Sequence, residues 1–204
     1  MTTGRRGQET IDVALDAALA CVTSGERLTV QALSARSKVS VGSLYHHFGS
    51  LDGLRRELFA RCMRGLLDSL IAAVEPQPTI EDVTRALCGA YLGWTHDHAD
   101  EARFLHFSLQ DGLGPEVAAA KAPRLARLNA VLARFAAELT PLSPALLEML
   151  LIGPLAELSR RWLLGAPGLS LEEATLYLPP RLAAAVRATP SVRQHLEGDD
   201  DVGS

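Results

Sequence analysis

The sequence has little of what secreted, membrane-spanning or metal-binding proteins need. Its three cysteines are odd in number and lack metal-ligand spacing, which argues against a disulfide framework or a zinc site. No run of about 18 uncharged apolar residues occurs, and the N-terminus lacks the apolar core of a signal peptide. We therefore expect a cytoplasmic protein with no membrane partner. We expect the thiols of Cys21, Cys62 and Cys88 to be small buried groups, with a redox-sensing thiol as the alternative.

Strand patterns and catalytic motifs are also scarce. Aromatic residues make up only 5% of the chain, whereas alanine and leucine dominate a hydrophobic content of 48%. Such a chain of 204 residues can bury a core in one or two domains. It contains no obvious carboxylate pair, glycine-rich phosphate loop or nucleophile motif. We expect an all-α protein that is not an enzyme and holds no cofactor or metal; an all-α enzyme and a helical protein-interaction module are the alternatives.

The segment Thr29–Phe48 has the pattern of two short helices joined by a tight turn. Thr29 and Ser40 are suited to cap the two helix N-termini with their hydroxyl oxygens. Leu44 and Phe48 are spaced i, i+4, so both face inward, while small and polar residues remain outside. This pattern is typical of a helix-turn-helix, whose second helix enters the DNA major groove. A plain helical hairpin is the alternative.

Residues from about 11 to 58 resemble the DNA-binding domain of the TetR/AcrR family of transcriptional regulators. The most specific part is VSVGSLYHHFGS at residues 39–50, which is similar to the recognition helix and following turn of that family. The resemblance implies a DNA-binding domain at residues 1–50 and a C-terminal helical effector-binding and dimerisation domain at 51–190. Residues 191–204, which end in GDDDVGS, are predicted to be a disordered acidic tail.

Two positions depart from the pattern of the family. Lys38 stands in the turn where the family often has glycine, and a left-handed lysine costs roughly 1 kcal/mol. Leu51 stands where the family often has a lysine that contacts a phosphate. The N–H groups at that helix start could still bind phosphate.

The expected DNA contacts divide into base and backbone contacts. Gln31 can pair with adenine, Val41 can pack on a thymine methyl, and Ser43 can bind a base or phosphate. Tyr45 and His46 resemble backbone contacts, which position the protein without reading sequence. His47 either does the same or covers the hairpin. The predicted DNA-binding residues are Thr29, Gln31, Val41, Gly42, Ser43, Tyr45, His46 and His47.

Charge is distributed unevenly along the chain. Residues 1–64 hold 9 basic and 6 acidic side chains, whereas residues 65–204 hold 11 and 18, giving the net charge of −4. A basic end on an acidic protein favours a local footprint on a double-stranded DNA operator. Arg5 and Arg6 precede the expected first helix, which begins at Ile11, and form either an arm toward DNA or a solvated tail.

The rest of the chain is predicted to be a helical bundle. Pro154 and the Pro179-Pro180 pair predict kinks or breaks. Leucine is too abundant in residues 145–158 for a single apolar stripe, so a second face should bury against another subunit, unless this is the core helix of a monomer. The expected helices are Leu51–Val74, Ile80–His96, Asp100–Leu109, Pro115–Leu139, Ser143–Leu164 and Ser170–Ala188.

The resemblance also implies an effector pocket between the middle helices, although plain core packing is the alternative for each residue. His96 and His98 are spaced i, i+2, so they point apart on a helix and do not suggest a metal site. We expect a ligand-responsive repressor that binds a palindromic operator as a homodimer and is released by a small, largely apolar effector. The candidate ligand-binding residues are Tyr91, Trp94, His98, Phe104, Phe107, Met149 and Trp162.

Overall fold

The computed structural model of the protein describes residues 2–107 and 115–188. Throughout these residues the regular structure is helical, apart from an isolated antiparallel bridge between Leu139 and Arg187. The all-α prediction is therefore confirmed. The helices are α1 (Thr2–Thr23), α2 (Val30–Ser37), α3 (Val41–Phe48), α4 (Leu51–Val74), α5 (Ile80–Asp97), α6 (Ala99–Phe107), α7 (Pro115–Ala133), α8 (Pro144–Leu163) and α9 (Leu171–Val186).

Several helix boundaries fall where capping residues predict them. Thr79 Oγ1 accepts a hydrogen bond from the Asp82 N–H at 3.1 Å at the start of α5. Ser143 Oγ accepts from Leu146, and Ser170 Oγ accepts from Glu173, so α8 and α9 also begin after serine caps. The predicted start and end of α4 are both confirmed. The predicted end of α6 at Leu109 and the acidic tail lie outside the described residues.

Two expected boundaries are wrong. The first helix begins at Thr2 rather than Ile11, so Arg5 and Arg6 belong to the helical backbone and do not precede it. The side chain of Gln8 donates to Asp12 Oδ1 at 3.0 Å, one helical turn on, which favours the longer helix.

The end of α7 also differs, because this helix stops at Ala133 instead of Leu139. The guanidinium of Arg134 donates to the backbone oxygens of Glu75 and Gln77 at 2.8 and 2.7 Å, which anchors the turn. The backbone N–H of Thr140 then donates to the oxygen of Val186 at 2.9 Å, which a continued helix would not allow.

Of the kinks or breaks predicted at the prolines of the last two helices, the breaks are absent. Helix α8 continues through Pro154, and α9 continues through Pro179 and Pro180. A proline removes one helical hydrogen bond, but packing of its neighbours can hold the helix together. Leu155 is fully buried and Pro179 is buried, so both helices are held by their packed sides at these points.

The chain divides into two compact units. The first unit comprises Met1–Leu67 and Asp97–Pro123, and the second comprises Asp68–His96 and Arg124–Ser204. Each unit is a group of residues that contact one another within the fold. The predicted boundary at residue 50 instead separates a DNA-binding part from an effector-binding part, and it stays a prediction.

The core of the first unit is formed by apolar residues of α1 to α4 and α6. Leu15, Leu33 and Leu58 are almost completely buried in it. The rings of Phe59 and Phe104 lie 6.4 Å apart and tie α4 to α6. Burial of such side chains stabilises the unit by roughly 1.5–3 kcal/mol each. The helix-turn-helix segment is therefore held on a packed base.

The second unit combines an apolar core with ion pairs at its surface. Arg124 makes two hydrogen bonds to the carboxylate of Asp68, at 2.7 and 2.9 Å. Arg127 binds Glu75 in the same way, at 2.9 and 2.8 Å. Helices α8 and α9 pack against each other. No helix among residues 2–107 and 115–188 has the length and apolar character required to cross a bilayer.

Candidate nucleic-acid interface

The turn between α2 and α3 is fixed by serine side chains. Ser34 Oγ donates to the backbone oxygen of Val39 at 2.7 Å, across the turn. Ser37 Oγ donates to the oxygen of Leu33 at 2.7 Å and accepts from the Val39 N–H at 3.1 Å. Lys38 takes the left-handed conformation expected of the turn, with φ of 61°. The two helices are thus set at a defined angle by local hydrogen bonds.

Both helices of this segment begin at the predicted caps. Thr29 Oγ1 accepts from the Ala32 N–H at 3.1 Å, which starts α2. Ser40 Oγ accepts from the Ser43 N–H at 3.2 Å, which starts α3. Leu44 is buried, with 4% of its surface exposed, and so fixes the inner face of α3.

The outer face of α3 carries most of the predicted DNA contacts. Val41 is 41% exposed and Tyr45 is 51% exposed, whereas other large apolar side chains of the first unit are mostly buried. Gly42, His46 and Gln31 are exposed as well. An added Cβ at Gly42 would have no atom within 4 Å. The glycine therefore has no packing role within the described part of the chain.

Three of the predicted contacts are less accessible. Thr29, Ser43 and His47 are half-buried. A Cβ on Gly7 would lie 3.9 Å from His47 Cε1, so His47 lies beside α1. This placement favours the alternative role, in which His47 covers the hairpin. Arg36 is also engaged, because it pairs with Glu26 at 3.0 Å.

Gly53 is an important residue that the sequence interpretation missed. A Cβ at this position would lie 2.0 Å from the backbone oxygen of Phe48, a distance that real structures do not allow. The end of α3 and the start of α4 therefore approach so closely that only glycine fits. Ser50 caps α4 by accepting from the Gly53 N–H at 3.0 Å. A glycine three residues after a capping serine was the available signal.

The start of α4 also clarifies the departure at Leu51. This side chain is half-buried and packs against the core of the first unit, and it has no polar group that could bind a phosphate. Asp52 lies in the first turn of the helix, where its carboxylate interacts favourably with the helix dipole. That negative charge would also weaken the attraction of a phosphate to this helix end.

The candidate ligand-binding residues divide between the two units. Tyr91, Trp94, Met149 and Trp162 belong to the second unit, whereas His98, Phe104 and Phe107 belong to the first. Tyr91 and Trp94 are buried on α5, and burial raises the pKa of the Tyr91 hydroxyl to about 12. The Trp162 ring lies 6.1 Å from that of His96. Phe104 is buried against Phe59.

The remaining candidates are more exposed than an enclosed pocket would require. Met149 is 68% exposed, and Phe107 and His98 are exposed as well. The exposed Met149 fits a subunit interface on α8 better than a ligand cavity. Core packing accounts for Phe104. Tyr91, Trp94 and Trp162 stay candidates in the second unit.

A buried polar pair in the second unit was also missed by the sequence interpretation. Thr95 Oγ1 and Ser159 Oγ are 3.1 Å apart and join α5 to α8. The Thr95 hydroxyl also donates to the backbone oxygen of Tyr91 at 3.0 Å. Both side chains are almost completely buried, so this pair is a hydrogen-bonded polar feature in a mostly apolar core. The available sequence signal was that Thr95 and Ser159 lie on the apolar faces of α5 and α8.

Comparison with known proteins agrees with this geometry. Residues 15–58, which contain α2, α3 and the capping residues described above, match the family described as bacterial regulatory proteins, tetR family. The helix-turn-helix segment of this chain is thus similar to the DNA-binding domain of TetR-family regulators. The matched residues span the helix-turn-helix and the start of α4. No curated protein matches the chain.

Solved structures extend the similarity in fold to nearly the whole length of the chain. A TetR family transcription regulator from Marinobacter aquaeolei VT8 is 18% identical, with a TM-score of 0.75, over 92% of this chain and 100% of the other. The regulator FadR from Bacillus subtilis, in complex with stearoyl-CoA, is 14% identical, with a TM-score of 0.73, over 85% and 98%. The fatty acid degradation regulator FadR from Bacillus halodurans is 16% identical, with a TM-score of 0.70, over 90% and 97%. At these identities the likeness establishes the fold.

Proposed function

We propose that the protein is a ligand-responsive repressor that binds a palindromic DNA operator as a homodimer. The proposal of DNA binding rests on the outer face of α3. Its caps and buried Leu44 fix the helix, while Val41, Gly42 and Tyr45 are left exposed. The open space at Gly42 leaves room for the close approach of a nucleic-acid surface.

Dimerisation is supported by the exposed apolar side chains of α8 and α9. Met149 and Leu176 are each 68% exposed, and Leu164 and Tyr177 are also well exposed. Exposed apolar side chains mark a protein interaction site where they form a contiguous patch, and we propose that these do. A second copy of the chain is the proposed partner, since a symmetric dimer would present two recognition helices to two half-sites about 34–36 Å apart or somewhat more. The substitution Met149→Lys should therefore convert the dimer to a monomer in sedimentation experiments.

The proposed effector is a small, largely apolar molecule bound in the second unit. In this proposal the buried Tyr91 and Trp94 would supply apolar contacts, and the Thr95–Ser159 pair would supply polar groups that orient the ligand. The FadR structure with stearoyl-CoA supports an acyl compound as the first class to test.

Release from DNA requires the effector to prefer the conformation that does not bind DNA. A ligand with equal affinity for both conformations would not shift the equilibrium between them. Two residues separate α3 from α4, and α4 then continues without a break to Val74. This helix therefore connects the helix-turn-helix to the second unit along the chain. We propose that ligand binding moves α4 and thereby changes the spacing of the two recognition helices.

Selection of bound duplexes from a random double-stranded DNA pool tests this function. The proposal predicts a palindromic consensus, with stearoyl-CoA as the first compound tested for release. Gln31→Ala should weaken binding to the selected duplex by about 1–3 kcal/mol, as expected for a lost base contact. Gln77→Ala, at a glutamine outside α1 to α4, is the matched control and should leave affinity unchanged. Failure to enrich any sequence would refute the proposal.

A further inference from the structure

A cleft of about 360 Å³ lies on the first unit, apart from the candidate ligand-binding region of the second. It is lined by the loop that follows α1, by Arg55 of α4, and by Phe104 and Phe107 of α6. All of these residues belong to one compact unit, so the cleft is a property of that unit alone. Its volume suits a small organic molecule.

Two arginines give the cleft a positive charge. Arg27 and Arg55 both line it and are both exposed. Over residues 2–107 and 115–188, neither has an ion-pair or hydrogen-bond partner. The only acidic residue in the described lining is Glu26, which is already paired with Arg36 at 3.0 Å. The two guanidinium groups are therefore available to an anion from solution.

The cleft also has apolar lining residues. Phe104 and Leu28 are buried, and Phe107 is 38% exposed. Val22 of α1 adds a half-buried apolar side chain. An exposed phenylalanine next to unpaired arginines provides both an apolar contact and a charge contact for the same ligand.

The loop that carries Arg27 is fixed before any ligand binds. Gly25 has a φ of 71°, and its N–H donates to the Val22 oxygen at 3.2 Å. The Glu26 N–H donates to the Cys21 oxygen at 3.0 Å, so the turn satisfies the end of α1. Little backbone ordering is then required on binding, which favours affinity.

From these observations we propose that the cleft binds a small organic anion that has an aromatic or aliphatic body. The anionic group lies between Arg27 and Arg55, and the body packs on Phe107 and Val22. This site does not depend on the proposed DNA function, and it is distinct from the effector region of the second unit.

Titration of isotope-labelled full-length protein in solution, followed by NMR, tests the site. The probes are 4-phenylbutyrate and phenyl phosphate, which distinguish a carboxylate from a phosphate head group, and neutral 4-phenylbutanamide. We expect at least one anion to cause saturable shifts in the amides of Gly25, Leu28 and Phe107. The neutral probe should bind about ten-fold more weakly or worse, which corresponds to roughly 1.4 kcal/mol.

Substitutions assign the charge contacts. Arg27→Gln and Arg55→Gln should each weaken anion binding about ten-fold, and both side chains are exposed, so folding should be retained. Arg64→Gln, on the same helix α4 but outside the lining, is the matched control and should bind like the parent. The proposal is overturned if neither anion shifts these amides, if the neutral probe binds equally well, or if both cleft variants keep full affinity.

Discussion

Gly42→Ala should change stability and DNA affinity in opposite directions. Glycine within a helix is less favourable than alanine by roughly 0.5–1 kcal/mol. A Cβ at Gly42 meets no atom within 4 Å, so the substitution introduces no clash in the protein. The free energy of unfolding should therefore rise by about 0.5–1 kcal/mol, as measured by urea denaturation.

The same methyl group should weaken DNA binding if α3 lies in the major groove. A side chain forced into a well-packed contact costs about 1–3 kcal/mol, which corresponds to a loss of affinity of roughly 5- to 150-fold. The assay is titration of the selected duplex at fixed salt, because phosphate contacts make affinity strongly dependent on salt.

Gly93→Ala is the matched control for both measurements. Gly93 lies within α5 of the second unit, and a Cβ there also meets no atom within 4 Å. It should raise stability by a similar amount and leave DNA affinity unchanged. Gly42→Ala with raised stability and full affinity would refute the placement of α3 against DNA.

Three further predictions concern stability and titration. Gly53→Ala should destabilise the first unit by about 1–3 kcal/mol in denaturation experiments, because its Cβ would overlap the Phe48 oxygen; an unchanged midpoint would contradict the close approach. The three cysteines should react with an aromatic disulfide reagent only after the protein unfolds, because all three are buried. Burial also raises the pKa of Cys62 and Cys88 to about 12, which disfavours the reactive thiolate. Fast reaction of the folded protein would contradict this. The Glu157 carboxylate should titrate near pH 2 by NMR, because Arg160 and Arg161 donate hydrogen bonds to it and lower its pKa. The stabilising effect of these pairs is therefore present above about pH 4.5 and is lost as the pH falls toward 2. Titration near pH 4.5 would show that the pairs are absent.

The helix-turn-helix could be predicted from local chemistry, because short-range interactions determine it. Thr29 and Ser40 cap helices through hydrogen bonds to residues three positions away, and the sequence spacing contains that information directly. The left-handed Lys38 followed from the same local pattern. What the pattern could not reveal was Gly53, since its requirement comes from the approach of the Phe48 carbonyl after a change of chain direction.

The C-terminal region was harder to predict because tertiary packing overrides local signals there. The prolines at 179 and 180 predict a break, yet the helix continues where its packed side holds it. The end of α7 depends on Arg134 reaching carbonyls of residues 75 and 77, far away in sequence. The buried Thr95–Ser159 pair likewise joins two helices separated by many residues. Burial of the candidate aromatic residues alone does not separate a ligand pocket from a packed core.

Site-specific photo-cross-linking from α3 tests the central claim most directly. A benzophenone amino acid replaces Tyr45, which is 51% exposed, and the control protein carries it at Arg85, whose side chain is 64% exposed on the second unit. Irradiation with the selected duplex should cross-link DNA from position 45 and not from position 85. Equal yields from the two positions, or no cross-link from position 45 under conditions where the duplex is bound, would contradict the account.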